Sequence, residues 1–217
     1  TAMTIDALAG GNRTIIGLGV SGPQIVEGWY GQPWGSPHHW LRDYVAIMRN
    51  VFARETPVTH VGKQLNLPFE GVGSIGEGKA LKSIHHPVGD IQIWIASGAP
   101  LNTALAGEVA DGWLPMGYGL DGWETHGPNL EKGFKKRLDN AIPKEQFQLF
   151  TNLSVEITND IQTAIDRRKP LTAMYVGGMG SEQNNYHRDS MARRGFPEAA
   201  AEIQECWLNG DKEGAIK

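Results

Sequence analysis

One segment of this chain has the residue types of an anion-binding turn: four small residues that follow an apolar run. Residues 96–99 read Ala-Ser-Gly-Ala, follow the run Ile91–Ile95 and precede Pro100, a residue that often opens a helix. Backbone N–H groups at a helix start carry the positive end of the helix dipole, and small side chains let a phosphate reach them. Asn102 and Thr103 could add side-chain donors. The alternative interpretation is a tight strand–helix turn without a ligand.

A second segment of the same kind lies near the start of the chain. The run Thr14–Gly19 is followed by Val20, Ser21 and Gly22, where a hydroxyl could bind a ligand and a glycine would allow close approach. Gly22 and the proline after it would also serve as a simple turn. Glu27 follows nearby, and a buried carboxylate at that position would act as a proton donor. A surface carboxylate that pairs with an arginine is the alternative.

The histidines are weaker candidates for catalytic or metal-binding residues than these two segments. His38 and His39 precede a helix, and adjacent residues cannot share one helix face, so we expect them at the surface. His85 and His86 precede a strand, on the side where catalysis is not expected. The seven histidines show no metal-ligand spacing with acidic residues, and we predict no metal site.

Composition places the chain among ordinary globular proteins. It has 217 residues, 40% of them apolar and 20% charged, with a net charge of −4. The slight acidity argues against nucleic acid as a partner, and no apolar run is long enough to span a membrane. The single cysteine, Cys206, excludes an internal disulfide and is weakly in favour of a cytoplasmic protein.

Strand and helix patterns alternate along the chain. The predicted strands are Thr14–Gly19, Ile91–Ala96, Gly112–Met116 and Phe147–Ile157. The predicted helices are residues 37–55, Leu101–Ala110, Pro128–Asn140, residues 161–168 and most of Pro170–Leu208, with breaks at Gly177–Gly180 and Gly195–Pro197.

This alternation indicates a parallel sheet, either an open doubly wound sheet or a (β/α)8 barrel. No Gly-x-Gly-x-x-Gly motif opens a helix with an acidic residue at the required distance, which disfavours a dinucleotide-binding fold. Residues 58–86 form an irregular excursion with a predicted β-ribbon in its first part. We predict one domain over residues 1–217. A helix precedes the first strand and both ends are abrupt, so we expect a piece of a longer protein.

Three motifs together resemble one enzyme family. GLGVSGPQ-x-x-EGW at residues 17–29, IQIWIASGAP at 91–100 and ADGWLP at 110–115 are similar to the luciferase-like oxidoreductases. The greatest similarity is to the branch that uses coenzyme F420, a deazaflavin, and includes methylene-tetrahydromethanopterin reductase. The sequences YVGGMG and GFPEAAAEIQECWLNGDKEGA resemble the C-terminal helical region of that branch.

The resemblance implies a partial (β/α)8 TIM barrel that contains strands four to seven and lacks the first three strands and the last. It implies hydride transfer between F420 and a small organic substrate, with pairing into a homodimer. An FMN-dependent monooxygenase of the same fold, or an inactive fragment of either enzyme, is the alternative. Glu27 is the candidate catalytic residue. The cofactor contacts that the resemblance implies are Val20, Ser21, Gly22, Ala96, Ser97, Gly98, Ala99 and Thr103.

Overall fold

The computed structural model describes all residues, 1–217. Six strands are present: β1 Ile15–Leu18, β2 His60–Val61, β3 Asn66–Leu67, β4 Gln92–Ser97, β5 Gly112–Pro115 and β6 Gln148–Leu149. Ten α-helices are present: α1 Ala2–Leu8, α2 Pro23–Val26, α3 Pro37–Ala53, α4 Pro100–Val109, α5 Gly122–Phe134, α6 Ile161–Asp166, α7 Lys169–Ala173, α8 Tyr186–Arg193, α9 Pro197–Leu208 and α10 Lys212–Ile216. No helix combines the length and apolar character needed to cross a membrane.

The chain divides into two compact units. The first unit comprises Thr1–Ser21, Gln32–Pro115 and Asn129–Phe150. The second unit comprises Gly22–Gly31, Met116–Pro128 and Thr151–Lys217.

A four-stranded parallel sheet is the centre of the first unit. Its strand order is β1-β4-β5-β6, and β4 pairs with both β1 and β5. Ile93 and Ile95 of β4 are fully buried, as expected of a continuous apolar run covered on both faces. The parallel sheet confirms the prediction for the three strands β1, β4 and β5, with bounds that differ by at most one residue at each end.

Strand β1 is less covered than its apolar sequence predicts. It is an edge strand, and the side chain of Ile15 is 53% exposed. Its nearly continuous apolar sequence is typical of a strand covered on both faces, but β1 does not receive that coverage. An apolar run shows that a segment favours burial, but the position of a strand in the sheet decides how much burial it receives.

The fourth predicted strand is much shorter than expected. Only β6 pairs with β5, while the rest of Phe147–Ile157 is irregular and exposed. Leu153 is 83% exposed and Ile157 is 99% exposed. Alternating side chains stabilise a strand only where a neighbouring strand accepts its backbone hydrogen bonds, and β6 has one neighbour over two residues.

Helices α3 and α4 pack beside one another in the first unit. Arg42 of α3 donates two hydrogen bonds, both of 2.7 Å, to the carboxylate of Glu108 in α4. This fork-to-carboxylate geometry fixes the two helices side by side. Helix α3 begins at Pro37, as predicted, and α4 begins at Pro100, one residue before its predicted start at Leu101.

Helix α5 begins six residues earlier than predicted. The prediction placed Pro128 at the first position, whereas the helix runs Gly122–Phe134 with Pro128 in its interior. His126 and Leu130, on either side of the proline, are both buried. Tertiary packing on both sides of Pro128 therefore outweighs the loss of one backbone hydrogen bond.

The predicted ribbon in the excursion is confirmed. Strands β2 and β3 pair antiparallel, with His60 opposite Leu67. The Asp43 carboxylate of α3 accepts hydrogen bonds from the backbone N–H groups of Gln64 (2.8 Å) and Leu65 (3.0 Å). These bonds attach the ribbon loop to helix α3.

The C-terminal part of the second unit is helical with two breaks, as predicted. A π-helical segment, Met174–Gly178, follows α7, and Gly195 with φ +95° separates α8 from α9. Asn185 caps α8 by accepting from His187 and Arg188 and donates to the Val176 carbonyl at 2.6 Å. One buried amide thus joins the π-helical segment to the start of α8.

Candidate functional site

The first candidate segment and part of the second leave the sheet at the same edge. Leu18 pairs with Ile95 in the parallel register, so Val20 and Ser21 and residues 96–99 all follow the carboxyl ends of adjacent strands. A Cβ placed on Gly19 would lie 3.8 Å from the Cβ of Ala96. Ligands of parallel α/β folds bind at this edge of the sheet.

The turn between β4 and α4 leaves the start of the helix without a side-chain cap. Ala99 occupies the N-cap position, and its carbonyl accepts the N–H of Thr103 at 2.9 Å. An alanine methyl cannot accept hydrogen bonds from the N–H groups of the first turn. At most helix starts, a Ser, Thr, Asp or Asn side chain accepts one of them. An uncapped helix start behind small residues can accept an anion.

Ser97 and Thr103 face the interior rather than the open edge. Thr103 is fully buried, and its Oγ1 lies 3.3 Å from Oγ of Ser97. The indole Nε1 of Trp113 in β5 donates to Oγ (3.0 Å) and to the carbonyl (3.1 Å) of Ser97. These bonds hold the turn in place, so the hydroxyls position its backbone instead of reaching outward as donors. The side chain of Trp113 is itself fully buried.

Ser21 adopts a backbone conformation that is uncommon for its residue type. Its φ is +60°, in the left-handed region, and it is exposed at the end of β1. A non-glycine residue held in this region costs free energy and is often found at a functional site. In the second unit, Gly22 is the N-cap of α2 in extended conformation. Contact of Val20, Ser21 and Gly22 with a cofactor stays a prediction.

Glu27 lies at the C-terminal end of α2 and is exposed. The proton-donor role was predicted for a buried carboxylate, and this position does not provide that burial. The structure therefore gives no support to Glu27 as the catalytic residue.

The two histidines at the start of α3 are less accessible than predicted. His38 and His39 are half-buried, with ring centroids 5.3 Å apart. Burial, and then the charge of Arg42, lower the pKa of His38, while Asn102 of α4 acts in the opposite direction. The prediction of a surface position is wrong because α3 packs against α4 at this end, which no local pattern showed.

Comparison with known proteins fixes the family. A family model described as luciferase-like monooxygenase matches residues 1–217. The chain belongs to this family. The resemblance drawn from the three motifs is thereby confirmed.

A relative from Mycobacterium tuberculosis (strain ATCC 25618 / H37Rv) is 43% identical over all 217 residues of this chain. It is described as a putative coenzyme F420-dependent oxidoreductase, Rv3520c. The chain spans 62% of the length of that relative.

Two solved structures share the fold. The coenzyme F420 dependent tetrahydromethanopterin reductase of Methanopyrus kandleri superposes with a TM-score of 0.69 at 24% identity, over 99% of this chain and 60% of that one. An F420-dependent secondary alcohol dehydrogenase, solved with an F420-acetone adduct, gives a TM-score of 0.63 at 13% identity, over 98% of this chain and 65% of that one. The luciferase-like barrel fold, present here in part, is confirmed.

Proposed function

We propose that this protein is an oxidoreductase that uses coenzyme F420 and transfers a hydride between the deazaflavin and a carbon of a small organic substrate. The 43% identity to a relative described as F420-dependent supports the cofactor. The fold places the carboxyl ends of parallel strands β1, β4 and β5 along one edge, which suits a bound redox cofactor.

The uncapped start of α4 is the observation that carries the proposal. Small residues precede it, and no side chain satisfies its first N–H groups. This site fits a phosphate group, such as the one that the tail of F420 carries, because main-chain donors and the helix dipole both favour an anion. When bound, F420 supplies the hydride-carrying carbon of its deazaflavin ring.

The residues of this chain would then bind and orient the cofactor. The first backbone N–H groups of α4 would hold the phosphate, and the bonds between Ser97, Thr103 and Trp113 keep the preceding turn in place before binding. Preorganised donors lose little entropy when the ligand arrives.

The test is a pair of substitutions at one position, Ala99→Asp and Ala99→Asn. Both side chains can cap α4 and should raise the free energy of unfolding by about 1 kcal/mol. Only aspartate adds a negative charge where the phosphate is proposed to bind. We expect F420 affinity, followed by fluorescence quenching, to be about tenfold lower for Ala99→Asp than for Ala99→Asn.

The Asn variant is the matched control because both caps occupy the same N–H groups. Equal affinity of the two folded variants for F420 would exclude the start of α4 as the phosphate site. Failure of the unsubstituted protein to bind F420 would refute the proposed cofactor.

An FMN-dependent monooxygenase is the second candidate, favoured by the description of the family model. FMN also carries a phosphate, so the start of α4 does not distinguish the two cofactors. Parallel titrations with F420 and FMN do. Tight binding of FMN without any response to F420 would replace the first proposal with this one.

A further inference from the structure

A glycine-containing loop in the second unit follows directly after β5. This segment, Met116–Asp121 and hereafter the glycine loop, leads into helix α5. Gly117 has φ +73°, a conformation that a side chain would strain. The carbonyl of Gly119 accepts a hydrogen bond from the N–H of Gly122 at 3.0 Å. The loop is therefore a closed turn whose shape depends on glycine.

The guanidinium of Arg194, at the C-terminal end of α8, lies against this loop. A Cβ added to Gly117 would lie 3.5 Å from Nη1 of Arg194 and 3.5 Å from Oγ of Ser190. A Cβ added to Gly119 would lie 2.7 Å from Nη2 of Arg194. The same Cβ on Gly119 would lie 2.9 Å from Oδ1 of Asp121, so a side chain there would displace one of these two groups, whereas the distances at Gly117 are ordinary van der Waals contacts.

The charge of Arg194 is not paired. The residue is half-buried, its guanidinium forms no hydrogen bond or ion pair, and its Nε is buried without a partner. Arg188, one and a half turns earlier in α8, instead holds the Asp189 carboxylate at 2.7 Å and Oε1 of Gln204 at 2.7 Å. A half-buried arginine with free donors loses hydration without compensation unless a ligand supplies an acceptor.

The surroundings of Arg194 are positive. His126 of α5 is 3% exposed, and burial, then the charges of Arg193 and Arg194, lower its pKa while Asp121 opposes them. The Asp121 carboxylate accepts from Oγ1 of Thr125 at 3.3 Å. At His126, the positive charges of Arg193 and Arg194 are thus opposed by the carboxylate of Asp121.

We propose that Arg194 and the glycine loop form a binding site for an oxyanion, a carboxylate or a phosphate. The guanidinium fork binds two oxygens of such a group at once, and the N-terminal end of α5 adds a favourable dipole. Ser190, 7% exposed and next to Gly117, is in position to donate its hydroxyl. The proposal for this site does not depend on the identity of the cofactor.

The experiment is an NMR titration of the full chain with inorganic phosphate and, separately, with acetate. We expect saturable shifts of the Gly117 and Gly119 amides. Arg194→Gln should weaken phosphate binding about tenfold, since a charged bidentate contact is lost. Arg168→Gln removes the same charge from an exposed arginine in the same unit, and should leave the affinity within about twofold.

Arg194→Lys is a conservative control that separates loss of the guanidinium from loss of the fold. It keeps the charge but not the planar fork, so phosphate affinity should lie between that of the parent and that of Arg194→Gln. Thermal unfolding of each variant shows whether the fold is kept. Equal phosphate affinity of the parent and folded Arg194→Gln, or no saturable shift in the glycine loop, would overturn the proposal.

A second arm distinguishes the two sources of the anion. Phosphate titration in the presence of saturating F420 should show competition if the site takes the anionic tail of the cofactor. Unchanged phosphate affinity would assign the site to an anionic group on the substrate. Because the phosphate titration needs no F420, it tests the oxyanion site even if the protein does not bind F420.

Discussion

At the residue scale, Asp111 connects three parts of the first unit. It is 2% exposed and accepts hydrogen bonds from the N–H of Ile93 (2.8 Å), from Nη2 of Arg49 (2.9 Å) and from the N–H of Ile142 (3.3 Å). These bonds hold the turn before β5 in place. A buried carboxylate with three donors is stabilising only as long as all of its partners remain.

Replacing Asp111 with alanine should therefore destabilise the protein by about 3–5 kcal/mol, because the largely buried charge of Arg49 would lose its carboxylate and keep only the Val109 carbonyl. Urea unfolding measures this change. Asp90→Ala is the control, since Asp90 is exposed, and should change the free energy of unfolding by less than about 0.5 kcal/mol. Similar values for the two variants would show that Asp111 contributes no more than a surface carboxylate.

At this scale, the sequence did not predict whether a given side chain points into the protein or towards solvent. A turn between a strand and a helix was predicted at Ser97–Pro100, and the structure has the turn at Gly98 and Ala99, because Ser97 ends β4 and Pro100 begins α4. Thr103 was predicted to donate to a ligand, yet it faces Ser97 inside the unit. Arg194 was missed because its neighbours, Gly117 and Gly119, lie more than seventy residues away in the sequence.

At the element scale, one carboxylate holds the β2–β3 ribbon to α3. Burial alone raises the pKa of Asp43, but hydrogen bonds from Gln64 and Leu65, and the contact with His60, outweigh it and lower the pKa. A lowered carboxylate pKa means that the ionised form is favoured in the folded protein. The stability that this contact adds is therefore present above the unfolded pKa and is lost as pH falls through the lowered folded pKa.

Asp43→Ala should release the ribbon while the sheet stays folded. Hydrogen exchange measures it: the amides of Gln64 and Leu65 should exchange at least about tenfold faster, since their only acceptor is removed. Glu55→Ala, which removes an exposed carboxylate just after α3, is the matched control. Unchanged protection in Asp43→Ala would show that the ribbon is held by other contacts.

Elements with complete local signals were predicted well. Helices α3 and α4 carry a proline at the first position, and β4 is a continuous apolar run. Strand β6 and helix α5 were predicted less well because their extents depend on neighbours: β6 has a partner over only two residues, and α5 is extended past Pro128 by packing. Periodicity predicts what a segment can form, and its contacts decide where the element begins and ends.

At the scale of the whole molecule, His126 couples stability to pH. Its folded pKa is lowered, first by burial and then by Arg193 and Arg194. In the window between the lowered pKa and the ordinary value of 6.5, the unfolded chain binds a proton that the folded chain does not. The free energy of unfolding must then fall as pH falls through this window.

We expect this group to contribute a slope of at most about 1.4 kcal/mol per pH unit below neutrality. His126→Gln should reduce the slope, measured by urea unfolding at a series of pH values, whatever its effect on stability at neutral pH. His85→Gln, at an exposed histidine, should leave the slope unchanged. Identical slopes for His126→Gln and the parent would locate the pH dependence in other groups.

The inward orientation of the Ser97 hydroxyl has a consequence for selectivity. At the turn between β4 and α4, backbone amides and alanine methyls are the groups available to a ligand. Such groups favour a negative charge but do not distinguish between the molecules that carry it. A directed-evolution experiment that exchanges one phosphorylated redox carrier for another should therefore accumulate its substitutions outside residues 96–99 and leave that turn as it is.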